Sequence, residues 1–101
     1  MICSGMPGTV EESTGLKAYI LVDDFLIGRD GAKVDFRIRS LSVGRIHARI
    51  ARKENTFFIE DLGSGNGTYL DQKRLKKKEE YLLPDNCKIR FAEKEFYFVA
   101  N

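Results

Sequence analysis

The sequence is poor in the features that mark secreted, metal-binding and membrane-spanning proteins. It has 101 residues and only two cysteines, Cys3 and Cys87, which are too few for a disulfide framework and lack neighbours at metal-ligand spacing. No apolar run approaches the ~20 residues that span a bilayer, and residues 1–15 do not resemble a signal peptide. We therefore expect a cytoplasmic, reducing environment, no metal and no membrane contact.

The chain also lacks a strong excess of charge of one sign. Seventeen Lys and Arg against fifteen Asp and Glu leave a net charge of +2, which is too small to draw the whole chain to nucleic acid. The basic run at residues 73–78 is followed at once by Glu79 and Glu80 and contains no aromatic residue for base stacking. A nucleic-acid-binding β-barrel is therefore a minor alternative, and any anion site should be local.

What the sequence has is a series of short runs rich in β-branched and aromatic residues. Turn-forming residues separate them, which is typical of an all-β sandwich or barrel. A short helix within residues 73–81 is the only helical alternative, and a solvated connection is the simpler reading. The predicted strands are residues 18–22, 25–27, 46–52, 56–62, 68–70, 81–83, 88–92 and 95–100.

Two further expectations concern the chain's organisation. Residues 1–15 have the composition of a flexible tail or linker, which leaves residues 16–101 as the only domain. In the third predicted strand, period-2 alternation places Ile46, Ala48 and Ile50 on one face and His47 on the opposite face.

Three motifs punctuate this strand pattern. They are Gly28-Arg29, then Arg45-Ile46-His47, then Ser64-Gly65-Asn66-Gly67-Thr68. In this order and spacing they resemble the recognition loops of forkhead-associated (FHA) domains. The resemblance covers the chain from about residue 17 onward. It implies a β-sandwich of two antiparallel sheets with the recognition loops at one end.

The resemblance also implies a function. FHA domains bind phosphothreonine peptides, catalyse nothing and need no cofactor. The expected partner is a threonine-phosphorylated protein, such as a Ser/Thr kinase or its substrate, docked by a monomeric domain of a larger protein. Signal transduction through protein–protein interaction is the implied role.

The resemblance assigns roles to individual residues. Arg29 and Arg45 would contact the phosphate, because guanidinium groups donate paired hydrogen bonds to its oxygens. Ser64 and the backbone at Gly44 and Gly65 would add donors, while Asn66 would hold the peptide main chain. The residues expected to support the site are Gly28, His47, Gly67 and Thr68.

Two positions depart from the family pattern, and both should lie at the phosphate. Gly44 replaces the usual serine, and Gly65 replaces a threonine that often adds a contact. Hydrogen bonds to a charged partner are worth about 1.5–3 kcal/mol each, so the loss of both hydroxyls could weaken binding substantially. The alternative function is therefore an FHA-like domain that binds proteins independently of phosphorylation.

Other interpretations of these residues are weaker. His47 could form a Ser/His/Asp set with Asp35 or Asp61, but no nucleophile elbow surrounds either Ser42 or Ser64. The glycines could simply serve tight turns, and the third motif lacks the ending of a nucleotide-binding P-loop. Arg37 and Arg39 either read acidic residues beside a phosphothreonine or keep a sheet edge soluble.

One further hypothesis concerns the tail, where Thr9 precedes two glutamates. A phosphorylated Thr9 could fold back into the domain's own site, because seven extended residues reach up to ~25 Å.

Overall fold

The computed structural model of the chain describes residues 1–5 and 15–100. The described residues form strands and no helix, and hence contain no helix that could cross a membrane. The strands are β1 (Ile2–Cys3), β2 (Lys17–Ala18), β3 (Asp24–Gly28), β4 (Phe36–Arg37), β5 (Ala48–Lys53), β6 (Thr56–Asp61), β7 (Thr68–Leu70), β8 (Lys73–Arg74), β9 (Glu80–Leu82), β10 (Cys87–Phe91) and β11 (Lys94–Phe98).

The strands form two sheets, which confirms the predicted all-β sandwich. One sheet has six strands in the order β2-β1-β11-β10-β7-β8, and the other has five in the order β4-β3-β5-β6-β9. The core between them is apolar and includes edge-to-face ring pairs, among them Phe36 with Phe96 at a centroid distance of 5.3 Å. In β10, the side chains of Cys87, Ile89 and Phe91 point inward at period 2.

One strand pairing is parallel, where the sequence analysis expected antiparallel sheets. β4 runs parallel to β3, while the other named strand pairs are antiparallel. After β3 the chain turns back, and the Asp35 N–H donates to the Leu26 carbonyl at 2.8 Å. The chain then runs in the same direction as β3, and the Ile38 N–H donates to the Gly28 carbonyl. A turn of seven residues thus replaces the long crossover that usually joins parallel strands.

The start of the chain differs from the tail predicted for residues 1–15. Ile2 and Cys3 are fully buried and form β1 between β2 and β11. The Met1 and Val99 backbones extend the pairing with β11, since Val99 N–H donates to the Met1 carbonyl. The expectation of poor order is therefore wrong for these first residues. The rest of the predicted tail, with Thr9, lies largely outside the described residues.

Alternation also fails at the start of the third predicted strand. Ile46 is 37% exposed and His47 is fully buried, the reverse of the expected faces. The reason is that β5 begins only at Ala48, and the chain makes a turn at residues 45 and 46. Further along, residues 73–81 contain β8 and the start of β9, and so the helical alternative is wrong.

The strand register gathers the motif-bearing loops at one end of the sandwich. Ile27 of β3, Ala48 of β5 and Asp61 of β6 lie side by side in one row of the five-stranded sheet. In the opposite sheet Thr68 pairs with Phe91, at the end where β10 turns into β11. Three loops leave this end: a first loop (residues 29–35), a second loop (residues 38–47) and a third loop (residues 62–67).

Candidate functional site

The first and second loops lie against each other through their backbones. Arg29 N–H donates to the Gly44 carbonyl at 2.9 Å, and Asp30 N–H donates to the Arg45 carbonyl at 3.1 Å. Arg29 and Arg45, the two residues expected to contact the phosphate, therefore lie on adjacent backbone segments.

Gly28 makes this approach possible. A Cβ atom at position 28 would lie 2.2 Å from the Arg45 carbonyl oxygen and 2.9 Å from the Gly44 carbonyl oxygen. Real Cβ atoms do not approach backbone so closely, and the neighbouring atoms belong to main chain rather than to a movable side chain. The glycine of the Gly-Arg motif is thus required by a close crossing of two backbones, and not by a left-handed turn.

His47 joins the second loop to the third. Its Nδ1 accepts a hydrogen bond from Gly44 N–H at 2.9 Å, and its Nε2 lies 2.9 Å from the Gly67 carbonyl. Because Gly44 supplies a proton to Nδ1, the neutral ring carries its own hydrogen on Nε2 and donates it to Gly67. Burial lowers the pKa of His47, although the bond to Gly67 and the nearby Asp61 charge act in the opposite direction. The buried ring thus links the backbones of the two loops, and its support of a ligand site stays a prediction.

Asp61 organises the third loop from beneath. Its Oδ1 accepts bonds from the backbone N–H groups of Gly63 and Ser64 at 2.8 and 2.9 Å, and its Oδ2 accepts from the hydroxyls of Ser64 and Thr68. Burial alone would raise the pKa of this carboxyl group, but the four donors outweigh that effect and leave the pKa lowered. The carboxylate therefore stays ionised inside the loop.

Ser64 has a different role from the one predicted. Its side chain is buried, its hydroxyl donates to Asp61, and the same oxygen accepts from Gly67 N–H at 3.0 Å. The hydroxyl proton is thus already committed inside the loop and is not directed at a ligand. Thr68, expected to support the site, is fully buried on the same carboxylate.

Asn66 links the third loop to the second from the outer side. Its Nδ2 donates to the Ser42 carbonyl at 2.7 Å, and the side chain is exposed. Its Oδ1 has no hydrogen-bond partner within the described residues. The following Gly67 has a φ of +89°, the left-handed conformation expected after Asn66.

The two glycines that depart from the family pattern occupy roomy positions. The three atoms nearest to a Cβ at Gly44 would belong to His47, the closest at 3.5 Å, and a Cβ at Gly65 would meet nothing within 4 Å. Neither has a positive φ. The backbone N–H of Gly44 is used by His47, whereas those of Arg45 and Gly65 have no partner among the described residues. The predicted donor at Gly44 is thus occupied, while the donor at Gly65 is open.

Arg29 and Arg45 carry charges that no acid neutralises in the described part of the chain. Arg29 donates from Nε to the Val43 carbonyl at 3.1 Å, which orients its guanidinium group, and Arg45 is exposed. Four basic side chains elsewhere form ion pairs: Arg49 pairs with Asp24, Glu60 and Glu80, Arg52 with Asp23, Lys53 with Glu80 and Lys88 with Glu95. The loop end therefore holds uncompensated positive charge.

The sequence motifs contain the other residues of this loop cluster, but they gave no indication that Asp61 braces the third loop. In the sequence analysis Asp61 appears only as a possible aspartate of a Ser/His/Asp set with His47. The available signal was its place two residues before Gly63, because a carboxylate commonly accepts from the N–H two residues further along. Within the described residues, no group of three or more His, Cys, Asp and Glu side chains is placed to bind a metal ion.

Comparison with known proteins agrees with this geometry. The FHA domain family model matches residues 25–92, and the chain belongs to this family. A protein phosphatase 1 regulatory inhibitor subunit PPP1R8 homolog of Arabidopsis thaliana is 35% identical over 68 residues, which are 66% of this chain and 18% of that protein. The chain thus spans about a fifth of the length of this relative.

Solved structures show the same fold. The FHA domain of the CT664 protein from Chlamydia trachomatis superposes with a TM-score of 0.79 at 23% identity, over 97% of this chain and 94% of that one. The MEK1 FHA domain, solved in complex with a HOP1 peptide that carries a phosphothreonine, gives a TM-score of 0.70 at 25% identity, over 77% and 80% of the two chains. The family typically serves as a phosphopeptide-binding module in protein–protein interaction.

Proposed function

We propose that this domain binds threonine-phosphorylated peptides at the junction of its three loops. The observation that carries the proposal is the pair of arginines, Arg29 and Arg45, on abutting backbones with no acid partner among the described residues. A phosphothreonine carries about −1.5 to −2 charges at pH 7 and three acceptor oxygens. Two guanidinium groups supply both the opposite charge and the donors that it requires.

Backbone donors complete the proposed phosphate site. The N–H groups of Arg45 and Gly65 are available in loops whose positions are held by His47 and Asp61. In this assignment Ser64 braces the third loop and does not touch the ligand. Asn66 bridges to Ser42 and offers its Oδ1 to a peptide N–H group. The domain would thereby join a phosphorylated protein, such as a kinase or kinase substrate, to whatever the rest of its own polypeptide carries.

The fixed loops compensate for the absence of hydroxyl donors at positions 44 and 65. The loops are already fixed by hydrogen bonds, so little conformational entropy is lost when a ligand binds. Glycine at positions 44 and 65 leaves the surface open, which lets a phosphate approach the backbone donors.

A second candidate function is binding that does not depend on phosphate. It is favoured by one specific observation: no side-chain hydroxyl is offered at positions 44, 64 or 65, because two are glycine and Ser64 donates to Asp61. On this alternative, the same loops would contact a partner through Asn66 and the exposed Leu41.

Retention on a degenerate phosphothreonine peptide library distinguishes the two functions. Arg45→Gln is the informative variant, because the Arg45 side chain is exposed and forms no hydrogen bond or ion pair with the described residues. Loss of charge-assisted bonds worth about 1.5–3 kcal/mol should weaken retention roughly tenfold to a hundredfold. Lys76→Gln removes the same charge elsewhere on the surface and should have little effect. Equal retention of the two variants would contradict phosphate binding at this site.

A further inference from the structure

One edge of the six-stranded sheet has unpaired backbone. β2 forms this edge, with β1 on its inner side. The Ser4 N–H of the β1 side donates to the Leu16 carbonyl at 2.9 Å. Because alternate residues of an antiparallel strand bond to the neighbouring strand, the backbone groups of Lys17 point away from β1. Residues 19–22 continue the chain beyond β2 and make no hydrogen bond to any described residue. We call residues 17–21 the open edge.

The side chains of the open edge alternate as in a strand with one solvated face. Tyr19 and Leu21 are 60% and 78% exposed, while Ile20 between them is 6% exposed. Leu16 and Val22, which flank the open edge, are exposed as well. Four of the seven large exposed hydrophobic residues in the described part of the chain therefore lie in or beside it. An apolar edge with unpaired peptide groups is a template for the addition of a strand.

The other edges of the two described sheets carry charged side chains that oppose such pairing. β8 consists of Lys73 and Arg74, β4 ends with Arg37, and β9 begins with Glu80. Charged residues on an edge strand are a usual protection against the addition of another strand. Residues 18–22 contain no charged side chain. The open edge therefore differs from the other edges in having the properties of an interaction surface.

A second copy of this chain is complementary to the open edge. The Asp23 carbonyl accepts from the Arg52 N–H at 2.8 Å, so the unpaired backbone ends before Asp23 and is centred on Tyr19. Antiparallel pairing of two such edges places Tyr19 opposite Tyr19, and Lys17 opposite Leu21 of the second copy. The two Lys17 ammonium groups then lie at opposite ends of the contact. Each is directed diagonally towards the exposed Asp23 carboxylate of the other copy, which gives the contact complementary charge.

We propose that the open edge joins two copies of this chain into a symmetric dimer, in which the two six-stranded sheets become continuous. Dimerisation replaces the monomeric state expected from the sequence. Each copy contributes the same edge, so the pairing closes at two copies and does not extend into a fibre. Because the paired strands are antiparallel, the loop ends of the two copies point in opposite directions and both remain accessible.

Position 21 provides the sharpest test, because its side chain would lie opposite Lys17 of the second copy. Leu21→Lys places like charges opposite each other, whereas Leu21→Glu places opposite charges there. The dimer contains this pair twice, so the two variants should differ about twofold to thirtyfold in the dimer dissociation constant. Leu41→Lys is the matched control, because it changes an exposed leucine at the loop end in the same way.

Sedimentation equilibrium over a concentration series measures the dissociation constant of each variant, and circular dichroism checks that each is folded. The expected result is a wild-type dimer that Leu41→Lys leaves unchanged and that Leu21→Lys weakens more than Leu21→Glu does. Combining Lys17→Glu with Leu21→Lys restores opposite charges and should recover the dimer relative to Leu21→Lys alone. In the wild type, amide NMR shifts on dilution should be confined to the open edge and to its neighbours in β1.

Three results would overturn the dimer. A wild type that stays monomeric throughout the series would leave the open edge to a strand of another protein. Equal dissociation constants for Leu21→Lys and Leu21→Glu would refute the pairing of position 21 with Lys17. An effect of the same size in Leu41→Lys, or dilution shifts away from the open edge, would place the contact elsewhere. None of these outcomes depends on a phosphorylated peptide, so they test the dimer separately from the proposed function.

Discussion

The carboxylate of Asp61 should contribute more to the free energy of unfolding than any exposed charged group does. Asp61 is 1% exposed and accepts four hydrogen bonds, two from backbone N–H groups and two from hydroxyls. In Asp61→Asn the remaining oxygen can still accept from Gly63 and Ser64, but the new NH2 group faces two hydroxyls that previously donated. Each lost bond to the charged group costs about 1.5–3 kcal/mol, and rotation of the hydroxyls recovers part of it.

We therefore expect Asp61→Asn to lower the free energy of unfolding by about 2–4 kcal/mol, and Asp61→Ala to lower it further, because all four donors then lose their partner. Urea denaturation measures the change, with Glu54→Gln as an exposed acid-to-amide control that should be near neutral. Amide exchange should accelerate first in the third loop. A change below about 0.5 kcal/mol, no larger than in the control, would refute the bracing role of Asp61.

The same reasoning predicts acid sensitivity. The folded-state pKa of Asp61 is lowered, so its contribution to stability is present above the unfolded value of about 4 and is lost as pH falls through the folded pKa. In Asp61→Asn the decline of stability in this acid range should be shallower than in the wild type.

Three further predictions follow from the loop geometry. Gly28→Ala should destabilise the domain by about 1–3 kcal/mol, because its Cβ would force the Arg45 carbonyl away; unchanged thermal unfolding would contradict the close crossing. His47 has a lowered pKa, so stability should fall as pH drops from about 6.5 towards the folded pKa, and this dependence should be absent in His47→Gln; a pH-dependence that persists in that variant would point to another group. Gly44→Ser with Gly65→Thr should tighten phosphothreonine binding about tenfold or more, since both positions have room for the added hydroxyls; no gain in a calorimetric titration would show that the loops have diverged.

The sequence was most informative where a motif reflects a backbone requirement. Gly28 and Arg45 are distant in sequence, yet both belong to ordered motifs, and the structure brings them together because no side chain fits between the two backbones. His47 was likewise expected beneath a recognition loop and is found bonded to Gly44 and Gly67. Few residue types satisfy such a geometry, and so a motif of this kind can be recognised in a single sequence.

Reasoning from the sequence failed where the decisive contact lies between distant segments. Ile2 and Cys3 offer too short an apolar run to reveal periodicity, and their strand is defined by pairing with β11 at the far end of the chain. The role of Ser64 depended on whether its hydroxyl met Asp61 or a ligand, which motif spacing does not determine. The parallel pairing of β4 depended on how residues 29–35 turn, which propensities do not specify.

The measurement that tests the central claim most directly is an NMR titration of the labelled domain. Three degenerate peptide pools are added in turn, carrying phosphothreonine, threonine or phosphoserine at the fixed position. We expect shifts with the phosphothreonine pool that are confined to the motif residues: Gly28 and Arg29, Gly44 and Arg45, and residues 64–68. Equal responses to all three pools, or none up to millimolar peptide, would contradict phosphothreonine recognition and favour a phosphate-independent interaction through the same loops.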